Sequence, residues 1–226
     1  MKSNRETIYF VDFDHTISSR DVWDDIVKFC DPAAREDVVG RYLLGEISSR
    51  QCNLLLASII KPREEEIRQR VYAIGIDPTF HDFVRWAEGR GSEMIIVSDG
   101  YDYYIDLLLE KEGLTHLTYF SNRMKWTDDG INVEFPLNVK DCERDMAHCK
   151  CQHIAPHADK RRVYIGDGVS DVCGALKCEQ IYAKRNLLDH CREHGVAHVP
   201  FANFLDVIAG EEAWLVRQES PAALRD

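Results

Sequence analysis

Three short runs of apolar and β-branched residues punctuate the chain, and each ends in small or acidic residues. They are Thr7-Ile8-Tyr9-Phe10-Val11, Met94-Ile95-Ile96-Val97 and Arg162-Val163-Tyr164-Ile165. Continuous apolar runs, without polar alternation, predict strands buried on both faces, as in a parallel sheet. Positions 119–124 and 131–135 flank Asp128-Asp129-Gly130 and predict a hairpin. Gln180-Ile181-Tyr182-Ala183 and Ala197-His198-Val199 predict two last, short strands.

Between these runs the spacing turns helical. Val22, Trp23, Ile26, Val27 and Phe29 recur at helical intervals, and Asp31-Pro32 marks a break and restart. Positions 51–60 and 64–72 are amphipathic and are split by Lys61-Pro62. No strand pattern interrupts this block, so 17–76 is expected to be an all-helical cap. Asp77-Pro78 predicts a helix start, with Phe80, Phe83, Val84 and Trp86 as its apolar face. Further helices are expected over 103–112, stopped by Gly113, and over 170–176. Strands alternating with helices predict an α/β fold with a doubly wound parallel, Rossmann-like sheet. Its core is expected to comprise 1–16 and 77–226, with the cap inserted between them.

Composition narrows the function. With 226 residues the chain can bury a substantial core, and a net charge of −11 disfavours a nucleic-acid partner. No apolar run nears the roughly 20 residues a membrane span needs, and no partnership with a membrane is expected. The first residues, Met1-Lys2-Ser3-Asn4-Arg5-Glu6, offer no apolar secretion signal. A cytoplasmic location follows, with the eight cysteines reduced. An anionic substrate could enter so acidic a protein only where a cation, a lysine or backbone N–H groups reverse the field.

The chemistry gathers at the ends of the three strands: Asp12, Asp14 and Thr16 after the first, Ser98-Asp99-Gly100 after the second, and Asp167-Gly168 with Asp171 after the third. In open parallel sheets, ligands bind at those carboxyl ends. Residues two apart on a strand share a face, so Asp12 and Asp14 can address one site while Phe13 turns to the core. Two adjacent carboxylates repel unless a hard cation intervenes, which suits Mg²⁺ with Asp167 as a further ligand. A strand-end acid can also merely cap the next helix; agreement across three strands favours a site. His15 is expected only to line the mouth.

These stretches, Asp12-Phe13-Asp14-His15-Thr16, Ser98-Asp99-Gly100 and Gly166-Asp167-Gly168-Val169-Ser170-Asp171, resemble motifs one, two and four of the haloacid dehalogenase (HAD) superfamily, over nearly the whole chain. The resemblance implies a Mg²⁺-dependent phosphatase with Asp12 as nucleophile and Asp14 as general acid and base. It implies metal contacts from Asp12, the Asp14 carbonyl and Asp167, with Asp171 behind them. Thr16, Ser98, Asp99 and Gly100 would bind the substrate phosphate. In the phosphoserine-phosphatase-like branch, the position of Asp21 carries an acidic substrate contact; as a helix N-cap it has an equal structural explanation.

The superfamily also sets a lysine against the nucleophile. Lys160 precedes its strand directly, which leaves it at the amino end, roughly 15 Å from the other edge. Lys150 could reach the catalytic edge if a descending helix joined it to the strand, although Pro156 falls inside that helix. Lys150 is therefore the expected third catalytic residue. Its neighbours Cys142, His148, Cys149, Cys151 and His153 could instead form a zinc or redox site, but lack a paired Cys-x2-Cys. Within the branch, 98–104, the cysteine-flanked Lys150, Tyr182-Ala183-Lys184, Leu187-Leu188 and Cys191-Arg192-Glu193 are similar to the methionine-salvage phosphatases. That implies a small phosphorylated partner, 2-hydroxy-3-keto-5-methylthiopentenyl-1-phosphate; phosphoserine, pyridoxal phosphate and thiamine phosphate are the alternatives. Asp99 and His15 stand where glycine is common there, and no proline follows Lys150.

Overall fold

The computed structural model describes residues 5–137 and 145–219. Cys142, one of the thiols considered as a zinc ligand, lies outside them. The first strand, β1 (Thr7–Val11), is followed by four helices: α1 (Val22–Cys30), α2 (Pro32–Leu43), α3 (Ser49–Ser58) and α4 (Glu64–Ile74). The chain continues through α5 (Phe80–Glu88), β2 (Glu93–Tyr101), α6 (Asp102–Lys111) and the hairpin β3 (Thr118–Thr127) and β4 (Gly130–Glu134). It then forms α7 (Cys151–Ile154), β5 (Arg161–Gly166), α8 (Val172–Ala175), β6 (Gln180–Ala183), α9 (Arg185–Glu193), β7 (Val199–Pro200) and α10 (Phe204–Glu219).

The seven strands form one sheet in the order β4-β3-β2-β1-β5-β6-β7, parallel except for β4. Side chains of β1 alternate between two cores. Ile8 and Phe10 join Val97, Ile154 and Tyr164, while Tyr9 and Val11 join the cluster containing Phe83 and Ile105. Burial on both faces explains why the strand lacks polar alternation. Because β1 runs between β2 and β5, the strand order reverses there and opens a crevice at the carboxyl ends.

The four inserted helices start where their caps dictate. Asp31 accepts the Ala34 N–H at 3.0 Å with Pro32 at the first helical position, and Ser48 and Gln51 form a reciprocal capping box. The two chain crossings that bound this block lie side by side: Ser18 bridges Ile76, and the Asp77 N–H donates to the Ile17 carbonyl at 2.8 Å. Gly130 at the β3–β4 turn has φ +153° and faces the Ile60 carbonyl, where any Cβ would lie 2.3 Å from that oxygen. Among the described residues, no helix is long and apolar enough to cross a membrane.

Two elements differ from expectation. The helix predicted from Asp77-Pro78 begins at Phe80, because the Asp77 carboxylate first closes a turn onto the Thr79 N–H (2.8 Å) and hydroxyl (2.6 Å). The other is α10, which the apolar pattern did not reveal. Its Glu211 is buried, accepts both guanidinium nitrogens of Arg161 at 2.6 and 2.9 Å, and also accepts the hydroxyls of Tyr9 (2.9 Å) and Tyr182 (3.0 Å). Trp214 covers the guanidinium at 3.7 Å. Arg161→Ala strands the Glu211 charge and is expected to cost about 3–5 kcal/mol. Urea unfolding measures this, and a loss under about 1 kcal/mol would show that water reaches the site.

Candidate active site

β1 delivers Asp12 to the crevice, where its N–H still donates to the Ile165 carbonyl of β5 at 2.9 Å. The chain then leaves the sheet in a tight turn. The Phe13 carbonyl accepts the N–H groups of Thr16 (3.2 Å), Ile17 (2.8 Å) and Ser18 (2.9 Å), and His15 takes φ 57°. Phe13 enters the core. Asp14 turns the other way: its carboxylate accepts the Val22 N–H at 2.7 Å and the Tyr104 hydroxyl at 2.9 Å. Tyr104 reaches it only because residue 100 is glycine; a Cβ there would meet the Tyr104 hydroxyl at 1.7 Å and an Asp14 oxygen at 2.7 Å.

Lys150 stands at the carboxyl edge, directly before α7, and its buried ammonium donates to Asp12 Oδ1 and to Asp171 Oδ1, both at 2.5 Å. The segment after it descends as α7 and a 3₁₀ turn, Ala155–His157, to the start of β5. Pro156 falls in that 3₁₀ turn, so the α-helix ends at Ile154. Lys160 lies at the opposite edge and pairs with Glu93 and Glu6.

Asp171 is saturated. Besides Lys150 it accepts the Tyr164 hydroxyl (2.7 Å) and the N–H groups of Asp167 (2.9 Å) and Gly168 (2.8 Å). Asp167 faces Arg185, whose Nε lies 3.2 Å from Oδ2. Oxygens of Asp12, Asp167 and Asp171 all fall within 4.8 Å of one another.

Burial governs the electrostatics. It pushes Asp12 up to about 7, aided by repulsion from Asp171 and opposed by Lys150. Asp167 rises to about 9 through burial and the charges of Asp12 and Asp171. Asp14 is raised well above the carboxylate range by burial and by Asp21. For Lys150, burial favours the neutral amine, but Asp12 and Asp171 outweigh it and keep the ammonium charged. Three carboxylates this close, with one lysine among them, are a hard-oxygen donor set that a divalent cation such as Mg²⁺ would relieve.

The second strand end is held by side chains. Ser98 Oγ is buried and accepts the Gly100 N–H at 3.0 Å. The Asp99 carboxylate accepts the Ser49 hydroxyl of α3 at 3.1 Å and the His148 N–H at 2.8 Å, and burial pushes it up to about 6. Asp21 caps α1 by accepting the Asp24 N–H at 2.7 Å and also lines the cavity, so both of its expected positions coincide. The Thr16 hydroxyl is buried without a hydrogen-bond partner.

Of the expected site residues, Asp12, Asp14, Asp21, Asp99, Gly100 and Asp167 line a cavity of about 640 Å³ between the strand ends and the first three helices, while Thr16, Ser98, Lys150 and Asp171 are buried behind its wall. Its floor holds Asp12, Asp14 and Asp167, and its roof includes Trp23, Val39 and Leu56. His15 lines it, with its pKa lowered by burial, Arg185 and Lys184. Sequence reasoning missed Tyr104 and Arg185. A tyrosine within an amphipathic helix carries no separate signal, but Arg185, directly after a strand and its lysine, occupied a strand-end position like the others. Among the described members of the Cys–His cluster, burial pushes the Cys151 thiol up to about 12, and His148 and His153 bond each other. Among the described residues, the group of such side chains close enough to hold a metal is Asp12, Asp167 and Asp171.

Known proteins resemble this chain in sequence and in fold. The chain is 28% identical over 213 residues to a 2-hydroxy-3-keto-5-methylthiopentenyl-1-phosphate phosphatase of Brevibacillus brevis, covering 91% of this chain and 95% of the relative. A protein of the same name from Bacillus velezensis is 29% identical, over 97% of this chain and 98% of its own. Among solved structures, a phospho-aspartyl intermediate analogue of phosphoserine phosphatase superposes with a TM-score of 0.71 at 17% identity, covering 91% of this chain and 99% of that one. Substrate-bound phosphoserine phosphatase gives 0.68 at 16% identity, over 92% and 99%. A family model of haloacid dehalogenase-like hydrolases matches residues 9–175, from within β1 to the end of α8, and the chain belongs to that family.

Proposed function

We propose that this hydrolase is a Mg²⁺-dependent phosphomonoesterase, with 2-hydroxy-3-keto-5-methylthiopentenyl-1-phosphate as its substrate, in the cytoplasm. The observation that carries the reading is the buried Lys150 ammonium shared between Asp12 and Asp171 behind the floor of the cavity. It opposes the protonation of Asp12 that burial favours and aims the carboxylate where a phosphate would enter. The names of the relatives support the substrate, and Trp23, Val39 and Leu56 give an otherwise charged roof an apolar patch that suits a thioether tail.

Asp12 attacks phosphorus, the bond to the leaving oxygen breaks, and an aspartyl phosphate forms. Asp14, protonated because of its burial, gives its proton to that oxygen. As a carboxylate it then takes a proton from water, whose oxygen attacks phosphorus and releases phosphate from Asp12. Ser98 and the N–H of Asp99 or Gly100 hold the phosphate oxygens, with Thr16 beneath, and Asp21 faces the substrate from the start of α1. Asp12, the Asp14 carbonyl and Asp167 would hold Mg²⁺, with Asp171 fixing the loop behind them. When bound, the ion screens the phosphate from the Asp12 carboxylate. The block 17–76 acts as a cap that keeps water from the ester.

The test is turnover of p-nitrophenyl phosphate with Mg²⁺ and with EDTA, followed by phosphoserine, pyridoxal phosphate, thiamine phosphate and the methylthio-ketopentenyl ester. Mg²⁺-dependent turnover with preference for the last is expected. Equal turnover with EDTA would overturn the metal role, and preference for another ester would overturn the substrate.

A further inference from the structure

The 98–100 segment cannot rely on the sheet for its shape. The β2–β3 register shifts between Val97 and Tyr101, so regular pairing lapses where Ser98, Asp99 and Gly100 must be presented. Side chains supply the missing bonds. The Asp99 carbonyl accepts Asn122 Nδ2 at 2.8 Å, and the Ser98 carbonyl lies 2.5 Å from His148 Nδ1. His148 is 1% exposed, and its other ring nitrogen lies 2.8 Å from His153 Nε2. His153 is stacked at 4.0 Å on Phe120 of β3.

These contacts settle the protonation of the ring. A carbonyl can only accept, so His148 Nδ1 carries the hydrogen. Burial pushes His148 down to about 3 and His153 to about 4, so both rings are neutral near pH 7. His148 Nε2 is then bare and accepts from the protonated Nε2 of His153. The chain Phe120–His153–His148 thus aims one N–H at one carbonyl.

That carbonyl matters through its peptide plane. In a trans peptide the C=O of Ser98 and the N–H of Asp99 point in opposite directions. Holding Ser98 O against His148 fixes the direction of the Asp99 N–H, one of the donors assigned above to the phosphate. The His148 backbone N–H meanwhile bonds the Asp99 carboxylate, and Lys150 follows two residues later. We propose that His148 is a positioning residue that sets the phosphate-binding peptide and locks it in register with the Lys150 loop. The inference rests on the phosphatase reading. It differs from the zinc reading of the same histidine, since both ring nitrogens are spent on hydrogen bonds.

The experiment compares the wild-type protein with His148→Ala and His148→Asn, using p-nitrophenyl phosphate with Mg²⁺ and inorganic phosphate as inhibitor. The Asn amide reaches the place of Nδ1–H and can donate to Ser98 O, while the backbone bond to Asp99 persists in both variants. His148→Ala is expected to lose about 10–100-fold in kcat/KM, because a misplaced donor costs that much. The inhibition constant for phosphate should rise with it, and His148→Asn should recover most of both. Nitrogen NMR of the wild type should show a protonated Nδ1 and a bare Nε2 on His148. Wild-type kinetics in His148→Ala, or the opposite tautomer, would overturn the inference. So would an Asn variant as impaired as the Ala variant at equal thermal stability. A wild type that turns over no phosphomonoester would sink the phosphatase reading itself, whereas indifference of an active enzyme to His148 sinks only this inference.

Discussion

Asp12→Asn is expected to lower turnover of p-nitrophenyl phosphate by more than about 10³-fold, because Asp12 is the carboxylate that Lys150 holds in place to accept the phosphoryl. The fold should survive. An Asn amide fits the same space between Lys150 and the crevice, and it removes one of three carboxylates that repel at close range. The KM of any residual activity should stay within a few-fold, since the phosphate is held by the Ser98 to Gly100 segment. Mass spectrometry of an acid-quenched wild type should find a phosphorylated peptide containing Asp12, absent from the variant. Residual turnover above a tenth of wild type would mean that Asp12 is not the nucleophile.

Asp167→Asn should act in two opposite directions. Activity falls by roughly 10²–10³-fold, the several kcal/mol a bound ion contributes to charge stabilisation. Stability without metal should rise. In the unfolded chain Asp12 and Asp167 titrate near the usual carboxylate value of about 3.9. In the folded protein they are pushed up to about 7 and about 9. Between those limits the folded chain holds more protons than the unfolded one. Stability of the metal-free protein therefore falls as pH rises from about 4 through about 9. Removing the Asp167 charge relieves the loss at pH 8, and each kcal/mol regained lifts the melting temperature by about 2–4 °C. Thermal melts with EDTA at pH 6 and pH 8 should show a gain at both, roughly twice as large at pH 8. Added Mg²⁺ should stabilise the wild type at pH 8 and leave the variant unmoved. A variant that melts below the wild type at pH 8 would sink this account of the charge cluster.

The sheet was readable because its strands are buried on both faces, so β1, β2 and β5 stand out as unbroken apolar runs. The position of Lys150 was readable too, since the length of the segment between it and β5 decides which edge it reaches. What stayed hidden depends on contacts between distant residues. In α10, Glu211 occupies an inward-facing position and interrupts the apolar stripe; its partners Arg161, Tyr9 and Tyr182, all distant in sequence, make that position tolerable. Asp99 was read for its backbone, but its carboxylate turned to Ser49 of α3, a pairing with no local signature. His148 drew notice as a possible metal ligand because of its cysteine neighbours. Its use was set by a carbonyl on another strand.

The central place of β1 also has a consequence for synthesis. Asp12 follows a strand whose partners are β2 on one side and β5 on the other, the latter about 150 residues downstream. At ribosomal speeds of 5–20 residues per second, that strand waits roughly 10–30 s before its second neighbour exists. During that interval one hydrogen-bonding edge of an apolar segment is open, and the carboxylates of Asp12 and Asp167 have not met. The nascent chain thus carries an open apolar edge until β5 emerges, and the site gains the repulsion between Asp12 and Asp167 only when that strand docks.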